Sequence, residues 1–338
     1  MEVAEKRLVQ EMQLNRPLLP VPSKSDILSA RGPRNAVSLQ QAYAAIRERE
    51  FSRYRSLDDV VTLFLTNREC PFRCLMCDLW KNTLEHSVPS GAIIEQMTRG
   101  LDELGMADHV KLYNSGNFFD HRAIPESDRA AVPRHLAGCR NLIVENHPRF
   151  CDDKCLRFRD SLDCDLEIAI GLETIHPEVL RRLNKQMTVE DFAEATRFLV
   201  SHGIAVRAFL LLRPPWLTES EGVDWAIRSM RFAFDCGVDC CAVIPTRAGN
   251  GIMDQLQRSG DFSPPSLDSL ETVLRKGLEM DAGRVLADLW DLEAFSACSQ
   301  CFSERHQRLD LMNRLQELPT DSISDCSGCR AGGTDGDS

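Results

Sequence analysis

The chain has 338 residues, 43% of them hydrophobic, with 14 cysteines and a formal charge of −11. That length and apolar content allow one large domain with appendages, and the acidic balance argues against a broad nucleic-acid footprint. Many of the thiols stand in CxxC spacings, which suits metal sites in a reducing compartment better than the disulfide scaffold of a short secreted chain.

The N-terminus, MEVAEKRLVQEMQLNRP, lacks the apolar core of a signal peptide, and no apolar run approaches the roughly 18 residues that cross a bilayer. We therefore expect a cytoplasmic protein with no membrane partner. Residues 1–57 form an N-terminal extension with ten Lys/Arg against six Asp/Glu, a balance of +4 that leaves −15 for the remainder. Its Pro-containing part, NRPLLPVPSKSD, reads as extended, and LQQAYAAIRERE reads as a helix. The stretch IREREFSRYRS gathers Arg47, Arg49, Arg53 and Arg55 with Phe51 and Tyr54, either a local RNA grip or a solvated amphipathic helix.

From residue 58 to 290 the pattern changes. Six nearly continuous apolar runs, VVTLFLT, HVKLYN, NLIVENH, LEIAIGLE, IAVRAFLLL and VDCCAVIP, read as strands buried on both faces. Helical patterns lie between them, including GAIIEQMTRGLDELG, TVEDFAEATRFLVSHG and ESEGVDWAIRSMRFAFDCG, the last two stopping at Gly203 and Gly237. Strand and helix alternation predicts an α/β fold of parallel strands with right-handed crossovers, and in such folds ligands bind beyond the C-terminal strand ends. Periodicity leaves a β/α barrel and an open doubly wound sheet both possible. Residues 291–330 read as a Cys-rich metal-binding appendage with a helical stretch near Glu304 to Leu318, and residues 331–338 as a disordered tail.

The chemistry-bearing feature is TNRECPFRCLMCDLW, where Cys70, Cys74 and Cys77 follow the first strand directly. Structural zinc normally takes four protein ligands in two pairs, whereas CxxxCxxC offers three soft thiolates in one loop. Three thiolates on a four-iron cubane leave one iron open to a substrate or cofactor. Structural zinc or buried free thiols are the plainer alternatives. At the other strand ends stand Asn114, Ser115, Gly116 and Asn117, with Gly116 a candidate for a special backbone conformation or close approach. Glu173 is a carboxylate at a buried strand end, costly unless paired or used. Arg207 and Arg213 share strand parity and suit capture of a carboxylate, or ion pairs with Glu173 or Asp288. The loop IPTRAGNG closes the sixth strand, as a cover over a ligand or a plain connection.

A second set, Cys298 and Cys301 with Cys326 and Cys329, makes two CxxC pairs able to close a tetrahedral thiolate site for zinc or to hold an auxiliary iron–sulfur cluster, with zinc the preferred reading. Cys151 and Cys155 lack visible partners. Cys236, Cys240 and Cys241 read as core.

The CxxxCxxC loop at the end of the first strand of a β/α array resembles the signature of the radical S-adenosylmethionine (radical SAM) superfamily. The resemblance implies a partial (β/α)6 TIM-like barrel and a [4Fe-4S] cluster on Cys70, Cys74 and Cys77. The open iron of that cluster chelates S-adenosylmethionine, and an external electron donor drives its cleavage to a 5′-deoxyadenosyl radical. It implies cofactor contacts near Met76, Asn114 to Asn117, Glu173 and Arg207. The stretch Asn114-Ser115-Gly116-Asn117 departs from the Gly-Gly-Glu-like turn common there, so the likeness is of place. GLETIHPEVLRRLNKQMT, with Asn184 and Lys185, is similar to the corresponding segment of the elongator acetyltransferase and coproporphyrinogen oxidase type. RECPFRCLMCDLWKNT, KLYNSGNFFD, CLRFRD, RAFLLLRPP and IPTRAGNG together resemble the radical SAM subunit of archaeosine synthase and its bacterial relatives over residues 60–330. That likeness implies tRNA modification with tRNA or a tRNA-binding partner protein. The same motifs fit radical chemistry on a small molecule or peptide, and a non-catalytic zinc-binding adaptor is a third reading. The hydrogen-abstraction site and oligomeric state have no signature in the sequence.

Overall fold

In the computed structural model residues 22–318 and Cys326 are described. Cys329, the 331–338 tail and the first part of the Pro-containing extension lie outside those residues. Eight strands form one sheet in the order of the chain: β1 (Ala44–Phe51), β2 (Leu57–Phe64), β3 (His109–Tyr113), β4 (Asn141–Asn146), β5 (Asp165–Glu173), β6 (Ala205–Leu212), β7 (Cys240–Pro245) and β8 (Arg284–Ala287). β1 pairs antiparallel with β2, and every later neighbour pair is parallel. β1 and β8 do not pair, so the sheet is an open, curled half-barrel. The six expected runs are β2 to β7.

Side chains alternate across each parallel strand, and the alternation separates two kinds of chemistry. One set, including Val110, Leu112, Val144, Ile168, Val206 and Leu210, is fully buried in the main apolar core. Helices α2 (Ala92–Leu104), α6 (Val189–Ser201), α7 (Glu219–Asp235) and α9 (Leu267–Glu279) contribute to that core from outside. The other parity carries Lys111, Tyr113, Glu145, Glu167, Glu173, Arg207 and Phe209 on the concave face. α6 and α7 begin with capping boxes, Thr188 with Asp191 and Thr218 with Glu221, which satisfy the first-turn N–H groups.

The expected helix at LQQAYAAIRERE is strand β1. The charged alternation of AAIREREF does not stripe a helix: Glu48 and Glu50 fall on one side of a strand and meet Lys111, while Arg47 and Arg49 fall on the other and meet Asp59. The helical content before it is short, α1 (Lys24–Ser29), capped by Ser23. β8 was also unread as a strand, because four residues carry too little alternation.

The last helix, α10 (Ser299–Leu315), covers the free edge of β8. The side-chain amide of Asn313 bonds both the N–H and the carbonyl of Ala287, at 2.8 Å each, and Gln316 does the same for Val285 at 2.7 and 2.8 Å. These amides occupy the row of backbone groups that would otherwise template another strand.

Candidate functional site

Cys70, Cys74 and Cys77 lie in the loop beyond the C-terminal end of β2, and neighbouring strand ends fix that loop from two sides. After β5 the chain turns through α5 (Pro177–Arg182) and a short segment that cradles the cysteines. The Leu183 carbonyl accepts from Leu75 N–H at 2.8 Å, Asn184 Nδ2 donates to the Arg73 carbonyl at 2.9 Å, and Gln186 Nε2 donates to the Phe72 carbonyl at 2.8 Å. Asn184 and Gln186 reach these bonds from left-handed backbone, φ 53° and 60°. From the loop after β7, Asn250 Nδ2 donates to the Leu75 carbonyl at 2.7 Å and to that of Cys77 at 3.2 Å. Met76 packs into the smaller apolar cluster beside Leu75 and Leu183. Burial pushes all three thiols up, Cys74 to about 12, while Lys185 pulls Cys70 and Cys74 down against it.

The spacing of the sulfurs distinguishes one metal ion from a cluster. A tetrahedral ion with metal–sulfur bonds of about 2.3 Å holds its sulfurs about 3.8 Å apart. Among the described residues the sulfurs of Cys298, Cys301 and Cys326 all lie within 4.8 Å of one another, and those of Cys70, Cys74 and Cys77 do not.

The rest of the mouth comes from β3, β4 and β5. The turn after β3 sets Asn117 Nδ2 3.4 Å from Cys70 Sγ, and Ser115 takes φ 51° to do so. Gly116 lies against Cys70, but its φ is ordinary and an added Cβ would stand 3.6 Å from its nearest neighbours, so the special conformation expected of Gly116 belongs to Ser115. Asn114 is fully buried and its Oδ1 has no donor among the described residues. Glu173, also left-handed at φ 64°, pairs with Lys185, and Gly171 leaves room for that pair because a Cβ there would collide with both side chains.

Three further mouth residues carried no sequence signal. Glu145, at the end of β4, accepts the Asn114 N–H at 2.9 Å; burial pushes its carboxyl up to about 7 against bonds from the Asn114, Ser115 and Gly116 N–H groups. His147 stacks on Phe72 with ring centroids 3.8 Å apart and reaches the Lys185 carbonyl at 3.0 Å. Burial, with Lys185 next, pulls its imidazole down to about 3, so it is neutral. Tyr43, just before β1, hydrogen-bonds Ser115 at 3.0 Å. Only their strand-end position hinted at them, and the groups they meet are distant in the chain.

Arg207 is a correction. It stands near the start of β6 and pairs with Glu167 at 2.7 Å and Glu50 at 2.7 Å, so its donors are spent on the floor of the half-barrel, several residues below the mouth. Arg213 lies past the end of β6 and pairs with Glu219. Most of the basic stretch is likewise engaged: Arg47 bonds Asp59 at 2.9 Å, Arg49 the Leu57 carbonyl at 2.7 Å, Arg53 Asp165 at 3.2 Å, and the Tyr54 hydroxyl Asp165 at 2.8 Å, while Arg55 is exposed with no side-chain partner among the described residues.

In the second cysteine set Cys298 and Cys326 bring their sulfurs to 3.7 Å, the edge length of a tetrahedral thiolate site. Cys298 is the residue before α10, where the Cys301 and Gln300 N–H groups hold its thiol down to about 7. Cys151 and Cys155 join no metal-ligating group among the described residues, and Cys236, Cys240 and Cys241 are buried.

Residues 64–221, the span from the end of β2 into α7, match the family model described as the radical SAM superfamily. That span, just under half of the chain, is a radical SAM domain. It is 27% identical over 244 residues to an uncharacterized protein of Methanocaldococcus jannaschii, covering 68% of this chain and 66% of that protein. It is 27% identical to archaeosine synthase subunit beta of Methanosarcina acetivorans, over 49% of this chain and 50% of that one. The subunit beta of Thermococcus kodakarensis is 24% identical, over 64% and 69% of the two chains. The alignments thus span two thirds or less of the first two relatives. The crystal structure of methylornithine synthase superposes with a TM-score of 0.50 at 18% identity, covering 76% of this chain and 72% of that chain, and shares the fold. Among the described residues no helix is long and apolar enough to cross a membrane.

Proposed function

We propose that this radical SAM enzyme is the cluster-bearing subunit of a system that modifies a nucleoside in tRNA, of the archaeosine synthase type. The observation that carries the cluster assignment is the CxxxCxxC loop itself, three free cysteines, Cys70, Cys74 and Cys77, held at the mouth of the half-barrel within the span that matches the radical SAM model. When bound, a four-iron cluster with S-adenosylmethionine supplies reductive cleavage of a sulfonium carbon–sulfur bond and a carbon radical that abstracts hydrogen. The chain's own part is to hold and orient. Cys70, Cys74 and Cys77 would ligate three irons, and the buried Asn114 Oδ1 fits an ammonium group that needs an acceptor. Ser115, Gly116 and Asn117 would border that group, Met76 would flank the cluster, and Glu173, steadied by Lys185, would accept from ribose hydroxyls. The apolar Phe72–His147 stack keeps water from the rear of the loop.

The tRNA assignment is supported by the likeness to the archaeosine synthase beta subunits of Methanosarcina acetivorans and Thermococcus kodakarensis. Because three of the four arginines of the basic stretch, Arg47, Arg49 and Arg53, are engaged within the chain, a partner protein would supply most of the RNA grip, and an external donor the electron. At the second site, the 3.7 Å sulfur separation favours zinc on Cys298, Cys301 and Cys326, with Cys329 as the fourth ligand, over an auxiliary cluster.

Anaerobic reconstitution with iron and sulfide, followed by dithionite and S-adenosylmethionine, should release 5′-deoxyadenosine. The triple Cys70, Cys74 and Cys77→Ala variant should bind no iron and release none, while keeping one zinc per chain. A reconstituted cluster that never cleaves S-adenosylmethionine with any donor would sink the enzyme reading. Bulk tRNA nucleosides from a deletion strain should lack one modified base; an unchanged profile would redirect the chemistry to a small molecule or peptide.

A further inference from the structure

The outer side of the cysteine loop carries a second cleft. It encloses about 650 Å³ between the chain leaving α1, with Leu28, Arg31 and Arg34, and the segment that leads into the cysteines, with Arg68, Glu69 and Arg73. Trp80 and Glu85 complete the wall. Four guanidinium groups face two carboxylates here, a local excess of positive charge in a chain whose formal charge is −11.

Internal pairing accounts for only part of that charge. Glu69 takes one arm each of Arg31 at 2.7 Å, Arg34 at 2.5 Å and Arg73 at 2.7 Å, and its carboxylate is held below its ordinary range by these arginines although burial opposes it. Arg34 spends a further arm on the Trp80 carbonyl and on Thr83. What is left over consists of donors. The Arg31 side chain is 9% exposed, lies 4.5 Å over the Trp80 ring, and has no acceptor for its buried Nε among the described residues. The Trp80 indole N–H is buried and likewise has no acceptor among them. Arg68 makes no hydrogen bond or ion pair among the described residues. Buried donors are paired in folded proteins, so unpaired ones around a concave site define the chemistry of what is missing: an anion with several acceptor oxygens and no donors. Arginine forks match such an anion in two-point contact, and stacking on Trp80 fixes the Arg31 plane in advance.

We propose that this arginine cleft binds a phosphate group carried by a substrate or by free phosphate. S-adenosylmethionine has no phosphate, so the cleft is distinct from the cofactor position proposed inside the mouth. The inference goes beyond the functional reading above, since it holds whether the phosphate belongs to RNA, to a nucleotide or to a small metabolite. If the phosphate is a substrate's, Arg68 and Arg73, on either side of Cys70, tether it through the backbone that also carries the cluster ligand.

Equilibrium dialysis with radiolabelled orthophosphate, and fluorescence titration with a ribo-oligonucleotide bearing either a 5′-phosphate or a 5′-hydroxyl, test this on the full chain without turnover. The expected result is saturable binding of one phosphate per chain, weakened at least tenfold by Arg68→Ala and largely kept by Arg68→Lys. Arg68 is partly exposed and unpaired, so both variants should retain the wild-type circular dichroism and melting temperature. Orthophosphate binding alone identifies free phosphate as the source, a preference for the 5′-phosphate oligonucleotide a terminal monoester, and equal binding of both oligonucleotides a backbone diester; each supports the proposal provided Arg68→Ala weakens it. Absence of saturable binding by all three probes, or binding that Arg68→Ala leaves unchanged, overturns it. So does capture of an acidic protein that phosphate fails to displace. Release of 5′-deoxyadenosine by the same preparation separates failure of this site from failure of the radical reading.

Discussion

The floor and the mouth of the half-barrel are built from the same kinds of residue on the same concave face, and they treat charge in opposite ways. At the floor Glu50, Lys111, Glu167, Arg207 and Arg284 form a closed network in which each buried charge meets an opposite one at 2.6 to 3.0 Å. Although burial opposes it, Arg207 and Arg284 hold Glu167 down to about 2. The network also bridges the seam that the backbone leaves open: Arg284 of β8 donates to the Phe51 carbonyl of β1 at 3.3 Å. At the mouth, among the described residues, the seam has no such bridge, Glu145 has no cationic partner in contact, Asn114 Oδ1 has no donor, and three half-buried thiols share one loop. Buried charge that is fully paired is structure, and buried polarity left incomplete marks the place for a ligand.

The largest expected effect tests the floor. Arg207→Ala leaves Glu50 and Glu167 buried around a gap, and breaking a buried ion pair from one side costs about 3–5 kcal/mol. Urea denaturation of the metal-free protein should register that loss. The double variant Arg207→Met with Glu167→Gln should recover part of it, because fewer charges are left unpaired. A change below about 1 kcal/mol in the single variant would mean that water reaches the floor and the contrast drawn here is wrong.

Next in size is Glu145 at the mouth. Its folded-state carboxyl is raised above its unfolded value, so the protonated form favours the fold; stability is fully present below about pH 4.5 and falls as pH rises toward about 7. A displacement of that size corresponds to about 3 kcal/mol once both states are ionised. Glu145→Gln in the metal-free protein should therefore match wild type near pH 4 and exceed it by up to that amount at pH 8. Equal pH profiles would show that the backbone N–H groups of the Asn114 turn already compensate the charge.

Legibility in the sequence followed the same divide. The outward-facing parity of β2 to β7 is apolar and local, so those strands and helices α2, α6 and α7 could be read from pattern alone. β1 could not, because its inward residues are charged and find their partners far away: Glu50 meets Lys111 across 61 residues of sequence and Arg207 across 157. Arg207 was misassigned for the same reason, since a buried arginine on a strand looks identical whether its carboxylate belongs to a cofactor or to the floor. The cysteines were legible because their spacing is a local property. Glu145 and His147 were not, since each acquires its role from a turn or loop contributed by another part of the chain.

The smallest effect sharpens the contrast most, because it separates holding the loop from holding the fold. Asn184→Gly keeps the left-handed backbone at φ 53° that the position requires and removes only the bond from Nδ2 to the Arg73 carbonyl. One such bond contributes about 1 kcal/mol, so the melting temperature should move by only a few degrees. Arg73 stands between Cys70 and Cys74 and is itself left-handed at φ 57°, so its carbonyl has a conformation that the loop alone does not favour. Freeing it should let the thiols wander from the positions a cluster needs. Iron retained after gel filtration of reconstituted protein should therefore fall well below wild type while folding stability barely changes. Full iron retention would shift the burden of positioning to Gln186 and Asn250, which hold the Phe72, Leu75 and Cys77 carbonyls of the same loop.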